Sequence, residues 1–393
     1  MYGVLDAGYS TFSAENGTSK YTAKGIAYSA IDTSRWGITS TEDLGGGLAA
    51  SFNIESGLTG TPRDNFNYNG ATSGSGTSSN AAKLFGGVNG DLGAVAGGGN
   101  FSSSTGGGFA PNAVVFGDRK LNVGITSGAS KVQVGFDSST VRAAVVAYQP
   151  MDGNMLGNLV ANDRSLTGAS AGQGRNKAIS YIYTQPTWNA TLGYVLGNTV
   201  DATGADQTKV TNGNQYGLNY AQGPLALSVA GATYQGHVNA VTGVLGVLGD
   251  SATAPVIGVK AAVPTDIKTQ QTVFGASYDL QVVKLTAQYG KVQIKDQTQA
   301  AGAAADDLRS MYSIGAVVPV GAGNVFAQYS KGKDQYGAAG AFQGDTSGYS
   351  FGYRHSFSKR TTAYAAMGHV KASTSATNDV IANQTSFGLL HAF

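Results

Sequence analysis

Along most of the chain, large apolar or aromatic side chains alternate with small or polar ones in runs of about ten residues. Tyr349, Phe351, Tyr353 and Phe357 fall on odd positions, while the even ones carry Ser350, Gly352, Arg354 and Ser356. Val283, Leu285, Ala287 and Tyr289 likewise oppose Lys284, Thr286, Gln288 and Gly290, and Phe274, Ala276, Tyr278 and Leu280 oppose Gly275, Ser277 and Asp279. A two-residue period belongs to the β-strand, whose successive side chains point to opposite faces. Strands of soluble proteins run to about 5–6 residues, whereas a tilted strand crossing a bilayer needs ~9–11. The longer length found here, with rings at strand ends such as Tyr349 and Phe357, favours membrane strands with an interfacial girdle over a large soluble all-β protein.

Short and long connections alternate between the runs. Tight turns are expected at Asp43–Gly46, Gly90–Gly93, Asp137–Thr140, Gln185–Thr187, Gln222–Pro224, Leu280–Val282, Pro319–Gly323 and Phe357–Arg360. Nine longer Gly/Ser/Ala/Asn-rich segments separate them, near 13–32, 58–80, 102–129, 150–174, 198–212, 236–270, 296–309, 334–345 and 373–382. Eight turns and nine loops divide eighteen strands, with both termini on the turn side. If 130–136 and 141–148 belong instead to one loop over 102–174, the count is sixteen; the alternation of Val132, Val134 and Phe136 with Lys131, Gln133 and Gly135 favours eighteen.

In lipid every backbone N–H and C=O needs an internal partner, and only a sheet closed on itself has no open edge. The expectation is one closed antiparallel β-barrel over residues 1–393, with short turns on one side and long loops on the other. At 16–18 strands such a barrel is wide enough for an aqueous channel, and the many small residues of the inward parity suit a water-filled lumen.

Composition narrows the chemistry. Charged residues make up 12% of the chain, against about 25% in soluble domains. With 25 Lys and Arg against 23 Asp and Glu, and no basic run, nucleic acid is a poor partner. The chain has no cysteine, so thiolate catalysis and Cys-based zinc sites are excluded. No apolar stretch is long enough for a membrane-spanning helix. The N-terminus carries no basic and apolar leader, so any secretory signal is expected to have been removed. His237, His355, His369 and His391 lie on separate elements without metal-ligand spacing, and His355-Ser356 is an adjacent pair on opposite faces that cannot form a catalytic unit. Gly97–Gly99 and Gly106–Gly108 lack the Lys-Ser/Thr of a phosphate-binding loop. Neither catalysis nor a cofactor or metal is expected.

Several motifs resemble the Gram-negative general porins of the beta-proteobacterial, neisserial and Burkholderiales-type branch. They are Tyr2–Gly8, Ser34–Ile38 leading into Thr41–Leu48 (TEDLGGGL), Val318–Gly323, Phe357–Thr361 and the terminal Gly388–Phe393 (GLLHAF). The resemblance covers both ends well and the middle poorly. It implies a homotrimer in the bacterial outer membrane, in contact with lipid and lipopolysaccharide, whose third outer loop folds into each pore. That loop would be about 102–129 and would bring Asp118, Arg119 and Lys120 towards the lumen. Arg35 matches a basic ladder on the family's wall, and Phe393 matches its C-terminal insertion signal. Departures at Thr39, Gly98-Gly99 and Leu390, where the family commonly has Arg, imply a less charged constriction.

Parity places Arg35, Glu55, Lys131, Arg142, Lys284, Arg354, His369 and Lys371 on the inward face. A fixed charge in a narrow channel concentrates its counter-ions, so this basic excess predicts a passive path for ions and small hydrophilic solutes with weak to moderate anion preference. His355 and His391 fall on the lipid-facing parity. Two other readings stand beside it. A solute-selective porin would use a stacking track for sugars or aromatic acids, for which Phe85, Tyr148, Tyr234 and Phe326 have inward parity, and a structural anchor would hold a surface layer through loops such as 236–270.

Overall fold

The computed structural model describes residues 1–16, 19–58, 117, 119–151, 155–157, 175–196, 208–238, 245–246, 258–259, 265–296, 307–336, 343–374 and 377–393. Seventeen of its strands form one antiparallel sheet that closes on itself. In chain order they are β1 (Tyr2–Asn16), β2 (Ser19–Tyr28), β3 (Arg35–Gly45), β4 (Leu48–Gly57), β5 (Lys120–Ser127), β6 (Ser130–Ser138), β7 (Arg175–Thr184), β8 (Trp188–Leu196), β9 (Thr208–Gln222) and β10 (Leu225–Val238). After a two-residue ladder of β11 (Leu245–Gly246) and β12 (Gly258–Val259) come β13 (Thr265–Asp279), β14 (Lys284–Asp296), β15 (Asp307–Val320), β16 (Gly323–Tyr336), β17 (Gln343–Ser356), β18 (Thr361–Thr374) and β19 (Thr377–Ala392). β2 and β3 both pair with β1; from β3 onward each strand of the sheet pairs with the next, β10 passing to β13, and β1 pairs with β19 from Val4–Ala392 to Asn16–Val380.

The wall has sixteen staves. Both β2 and β3 lie antiparallel beside β1, β2 along Ala7–Asn16 and β3 along Tyr2–Val4, so they are successive halves of one interrupted strand. Eighteen strands is therefore an overcount, and the alternative of sixteen describes the barrel. Three differences account for it. Residues 81–101, read as two strands about a turn at Gly90–Gly93, lie outside the described residues. Residues 140–147 form a helix, α1, instead of a strand, so Asp137–Thr140 is not a turn: Asp137 and Ser138 end β6, and Ser139 and Thr140 open the helix. And 120–127, read as part of a loop, is strand β5, joined to β6 by the tight connection 128–129.

Alternation sets the two surfaces. On β5, Leu121, Val123 and Ile125 are exposed on the outer face, whereas Asn122 and Gly124 are buried on the inner one. Turn chemistry sets the hairpins: at 46–47 the φ angles of Gly46 and Gly47 are +62° and +80°, a region glycine enters without steric cost. The expected turns after Thr184, Gln222, Asp279, Val320 and Ser356 all stand at one end of the barrel with both termini.

Candidate pore constriction

Among the described residues, two segments leave the wall and meet inside the barrel. The larger follows β6. Ser139 is the N-cap of α1 (Thr140–Ala147), its Oγ accepting from the Arg142 N–H at 3.1 Å. Val141, Ala144, Val145 and Tyr148 repeat at i, i+3, i+4 and i+7 and are all buried, which is the apolar stripe of a helix. That stripe packs on Ala230, Ala232 and Tyr234 of β10, Val273 of β13, Val292 of β14 and Met311 of β15. Among the described residues the loop folded inward lies between β6 and β7; of the expected 102–129, residues 120–127 are strand β5, and 102–116 lie outside the described residues.

From α1 the chain crosses the inner wall strand by strand. The Thr140 hydroxyl donates to the Gly231 carbonyl on β10 at 3.3 Å, and Gln288 Nε2 on β14 donates to the Val145 carbonyl at 2.6 Å. Ser330 Oγ on β16 donates to the Gly157 carbonyl at 2.9 Å, and the Leu156 N–H donates to Gln384 Oε1 on β19 at 3.2 Å. The approach is close enough that a Cβ at Gly275 would overlap the Tyr148 ring, one at Gly315 would overlap Pro150, and one at Gly368 would overlap the Leu156 backbone. Gly157, at φ +86°, lies against the backbone of Tyr349, so both its conformation and its space exclude a side chain. Much of the inward glycine and alanine thus marks where this loop docks, and only part of it lines water. Burial pushes the Tyr148 phenol above its ordinary pKa, so it stays protonated.

The second segment is the break 29–34 between β2 and β3. Its holder is Asp6 of β1, wholly buried, whose Oδ2 accepts from the N–H groups of Ile31 (2.7 Å) and Asp32 (2.9 Å) and whose Oδ1 accepts from the Tyr364 hydroxyl (2.6 Å). Ser34 Oγ accepts from the Asp6 N–H at 2.9 Å. Ile31, fully buried, packs with Met151 and Met155 of the larger loop and with Phe326 and Tyr364 of the wall. The two inward segments therefore share one apolar contact.

The candidate charges divide into groups. Arg35 points inward from the start of β3, but it is ion-paired: its guanidinium meets Asp32 Oδ1 at 2.9 Å and the Thr33 carbonyl at 2.7 Å. Glu55, buried on the inner face of β4, holds Arg119 at 2.7 Å, accepts from the Tyr2 hydroxyl at 2.9 Å across Gly37, and stands opposite Lys120. The expected grouping of Arg119 and Lys120 is thus present, on wall β4–β5; Asp118 lies outside the described residues. Arg354 faces inward with its guanidinium 5.4 Å from the Phe326 ring centroid. Lys131 and Lys284 have inward parity but sit beside the short connections, away from the loop.

Three expected positions are wrong. Arg142 is on α1, at the half-buried border of its stripe, and belongs to no strand face. His369 and Lys371 share the outward face with Met367: His369 stacks on exposed Tyr349 at 4.9 Å, and Lys371 pairs with Asp379 at 2.6 Å. On β18 the large ring Tyr364 turns inward to reach Asp6, so the opposite parity, with His369 and Lys371, is the outward one. His355 and His391 do face outward, near the turns. The expected aromatic track is covered: Tyr148, Tyr234 and Phe326 are buried, and Phe85 lies outside the described residues. Sequence reading missed Asp6, Asp32 and Tyr364, whose spacing in the chain gives no sign of their meeting. At the seam, Phe393 and Gly3 exchange backbone hydrogen bonds at 2.9 and 3.0 Å, the ring lying over Gly3.

Comparison with known proteins agrees with this architecture. The anion-selective porin from Comamonas acidovorans superposes with a TM-score of 0.67 at 20% identity, covering 100% of this chain and 98% of that one. OmpT, an outer membrane protein of Vibrio cholerae, gives 0.59 at 12% identity (100% and 98% covered), and the outer membrane channel DcaP of Acinetobacter baumannii gives 0.57 at 12% (100% and 96%). At these identities the likeness is one of fold. No curated protein matches by sequence. The family model for Gram-negative porins, however, matches residues 1–375, and the chain therefore belongs to that family of outer-membrane channel proteins.

Proposed function

We propose that this outer-membrane porin is a passive channel for ions and small hydrophilic solutes, narrowed where the loop after β6 meets the 29–34 segment, with a weak anion preference. The loop crossing from Thr140 to Gly157 supports the narrowing. The pairing of Arg35 with Asp32 and of Arg119 with Glu55 supports the weakness of the preference, because each inward arginine of that sector meets a carboxylate. Arg35, Glu55, Arg119, Lys120 and Arg354 are the lining charges of this reading, and Phe393 is its insertion signal. Assembly as a homotrimer and placement in the beta-proteobacterial branch rest on the motifs Ser34–Ile38 and Thr41–Leu48. Burial of Tyr148, Tyr234 and Phe326 speaks against a stacking track. Planar-bilayer recording tests the whole: ohmic conductance in steps of three, with a reversal potential showing chloride modestly favoured over potassium, is expected. A clear cation preference overturns the selectivity, and absence of conductance overturns the channel.

A further inference from the structure

We propose that side chains inside the barrel form a clasp across its closing seam, so that the narrowing of the bore and the joining of the first and last strands are one cooperative structure. The seam is where the chain itself gives least help. Successive strands of the sheet are tethered by the chain between them, whereas Ser10 of β1 and Ser386 of β19, which face each other across the seam, are 376 residues apart. No hairpin re-forms this pair after a local opening, and bringing such distant residues together carries the entropy of a long loop. The outer side adds little. Tyr9 and Phe387 touch there with ring centroids 5.4 Å apart, but Leu5, Phe387 and Leu389 are exposed, and in lipid apolar side chains have no solvent-driven reason to prefer one another.

The inner side is built differently. Register sets Tyr364 of β18 opposite Gly388 of β19, and Gly388 opposite Gly8 of β1. A Cβ would stand 2.7 Å from the Tyr364 hydroxyl at Gly8 and 2.5 Å from it at Gly388, so the ring needs the room that both glycines leave. Tyr364 thereby reaches across the whole of β19, and its hydroxyl donates to Asp6 Oδ1 on β1 at 2.6 Å. Two residues further along the seam the Ser10 and Ser386 hydroxyls lie 2.6 Å apart, both fully buried. Asp6 Oδ2 holds the Ile31 and Asp32 N–H groups, and Ile31 packs on Phe326 and Tyr364, which belong to the far side of the seam. The inward loop abuts the same line: the Leu156 N–H donates to Gln384 Oε1, and Gln384 Nε2 donates to Ser386 Oγ at 3.3 Å. The seat of the 29–34 segment thus has one half on β1 and the other on β16 and β18. It exists only when the seam is closed, and once filled it resists reopening.

Hydrogen exchange of the folded barrel in detergent, read by mass spectrometry on peptides from β1 and β19 with β7 and β8 as reference, tests the clasp. Tyr364→Phe keeps the ring and removes its hydroxyl. Exchange along β1 and β19 is expected to rise about tenfold, the effect of losing one buried hydrogen bond to a carboxylate, with β7 and β8 unchanged. The chain has no cysteine, so Ser10→Cys/Ser386→Cys offers a single disulfide, placed across the seam where the side-chain oxygens already stand 2.6 Å apart. Added to Tyr364→Phe, this pair should restore wild-type exchange when oxidised and not when reduced. A Tyr364→Phe chain that folds only with the disulfide formed supports the clasp in the same way. Unchanged exchange in β1 and β19, an equal rise in β7 and β8, or no restoration on oxidation overturns it. None of these readouts uses conductance, so a missing clasp and a missing channel are told apart.

Discussion

The inner wall has two sectors built on the same alternation but set against different neighbours. From β3 to β6 the inward positions are polar or charged: Arg35, Asn53, Glu55, Lys120, Asn122, Gln133 and Asp137, with Asp137 accepting from Asn122 and Gln133 at 3.0 and 3.2 Å. From β10 to β19 they include Ala230, Val273, Gly275, Gly315, Phe326, Tyr364 and Gly368, most of them beneath the inward loop. Inward parity therefore says only that a residue leaves the lipid. Whether it meets water or packed protein depends on the loop, and among the described residues the loop converts one sector into a core and does not reach the other.

The largest effect should follow from filling the covered sector. Gly315→Phe with Gly368→Leu puts side chains where Pro150 and Leu156 already lie. Overpacking costs about 1–3 kcal/mol per site. A displaced loop relieves that cost more readily than a deformed sheet. Single-channel conductance is expected to rise several-fold while the barrel persists. The smaller change in the open sector, Gly124→Ala, meets the flexible end of Lys131 at 2.6 Å and the Val132 carbonyl at 2.9 Å but no inward loop, and should leave conductance alone. Equal responses would abolish the distinction between the sectors.

Next in size is Asp6, the tie between β1, the 29–34 segment and β18. Asp6→Ala strands the N–H groups of Ile31 and Asp32 and the Tyr364 hydroxyl. A buried donor left without its partner costs about 1–3 kcal/mol. The thermal midpoint should fall, and current traces should become noisier as the segment loosens. Tyr364→Phe removes one of the three bonds and should give the smaller drop. A wild-type midpoint for Asp6→Ala would show that the segment is held by its apolar contact alone.

The same division explains what could be read from the chain. Hairpins such as Gln222–Pro224 and Leu280–Val282 were legible because turn residues interrupt long alternating runs, and those runs face lipid, where outward size is a direct demand of the solvent. Helix α1 was less legible: over eight residues rich in Val and Ala, periods of 2 and 3.6 overlap, although Ser139 as cap and the Val141–Ala144–Val145–Tyr148 spacing carry the helical signal. Strand β5 shows a clear alternation from Leu121 to Thr126, although it lies within the Gly/Ser/Ala/Asn-rich stretch 102–129 that composition marks as a loop. Long-range polar contacts such as Asp6 with Tyr364, 358 residues apart, leave no local trace.

Selectivity offers a finer probe of the open sector. Arg35→Glu should move the reversal potential towards cations, and Asp32→Asn, which releases Arg35 from its partner, should move it towards anions. A partly exposed pair of this kind is worth up to about 1 kcal/mol, so each shift should be modest and of opposite sign. Shifts of the same sign would mean that the pair acts by holding the segment in place and not through its charge.

The smallest effect is expected at the turn-side mouth. Lys284 has inward parity on β14, one of the covered strands, yet it is the first residue of that strand, exposed, and opposite Asp279 in the register. The loop meets β14 at Gln288, further up, so Lys284 lies outside the covered zone. An exposed charge in wide water is screened within ~10 Å at 0.1 M salt, whereas a charge at a constriction acts on every passing ion. Lys284→Gln should therefore leave the reversal potential unchanged at 0.1 M and shift it slightly at 0.01 M, where screening reaches ~30 Å. Arg35→Glu should keep its effect at both concentrations. If Lys284→Gln matches Arg35→Glu at 0.1 M, the narrowest part of the path lies at the turn side, and the sector beneath the loop is not what sets it.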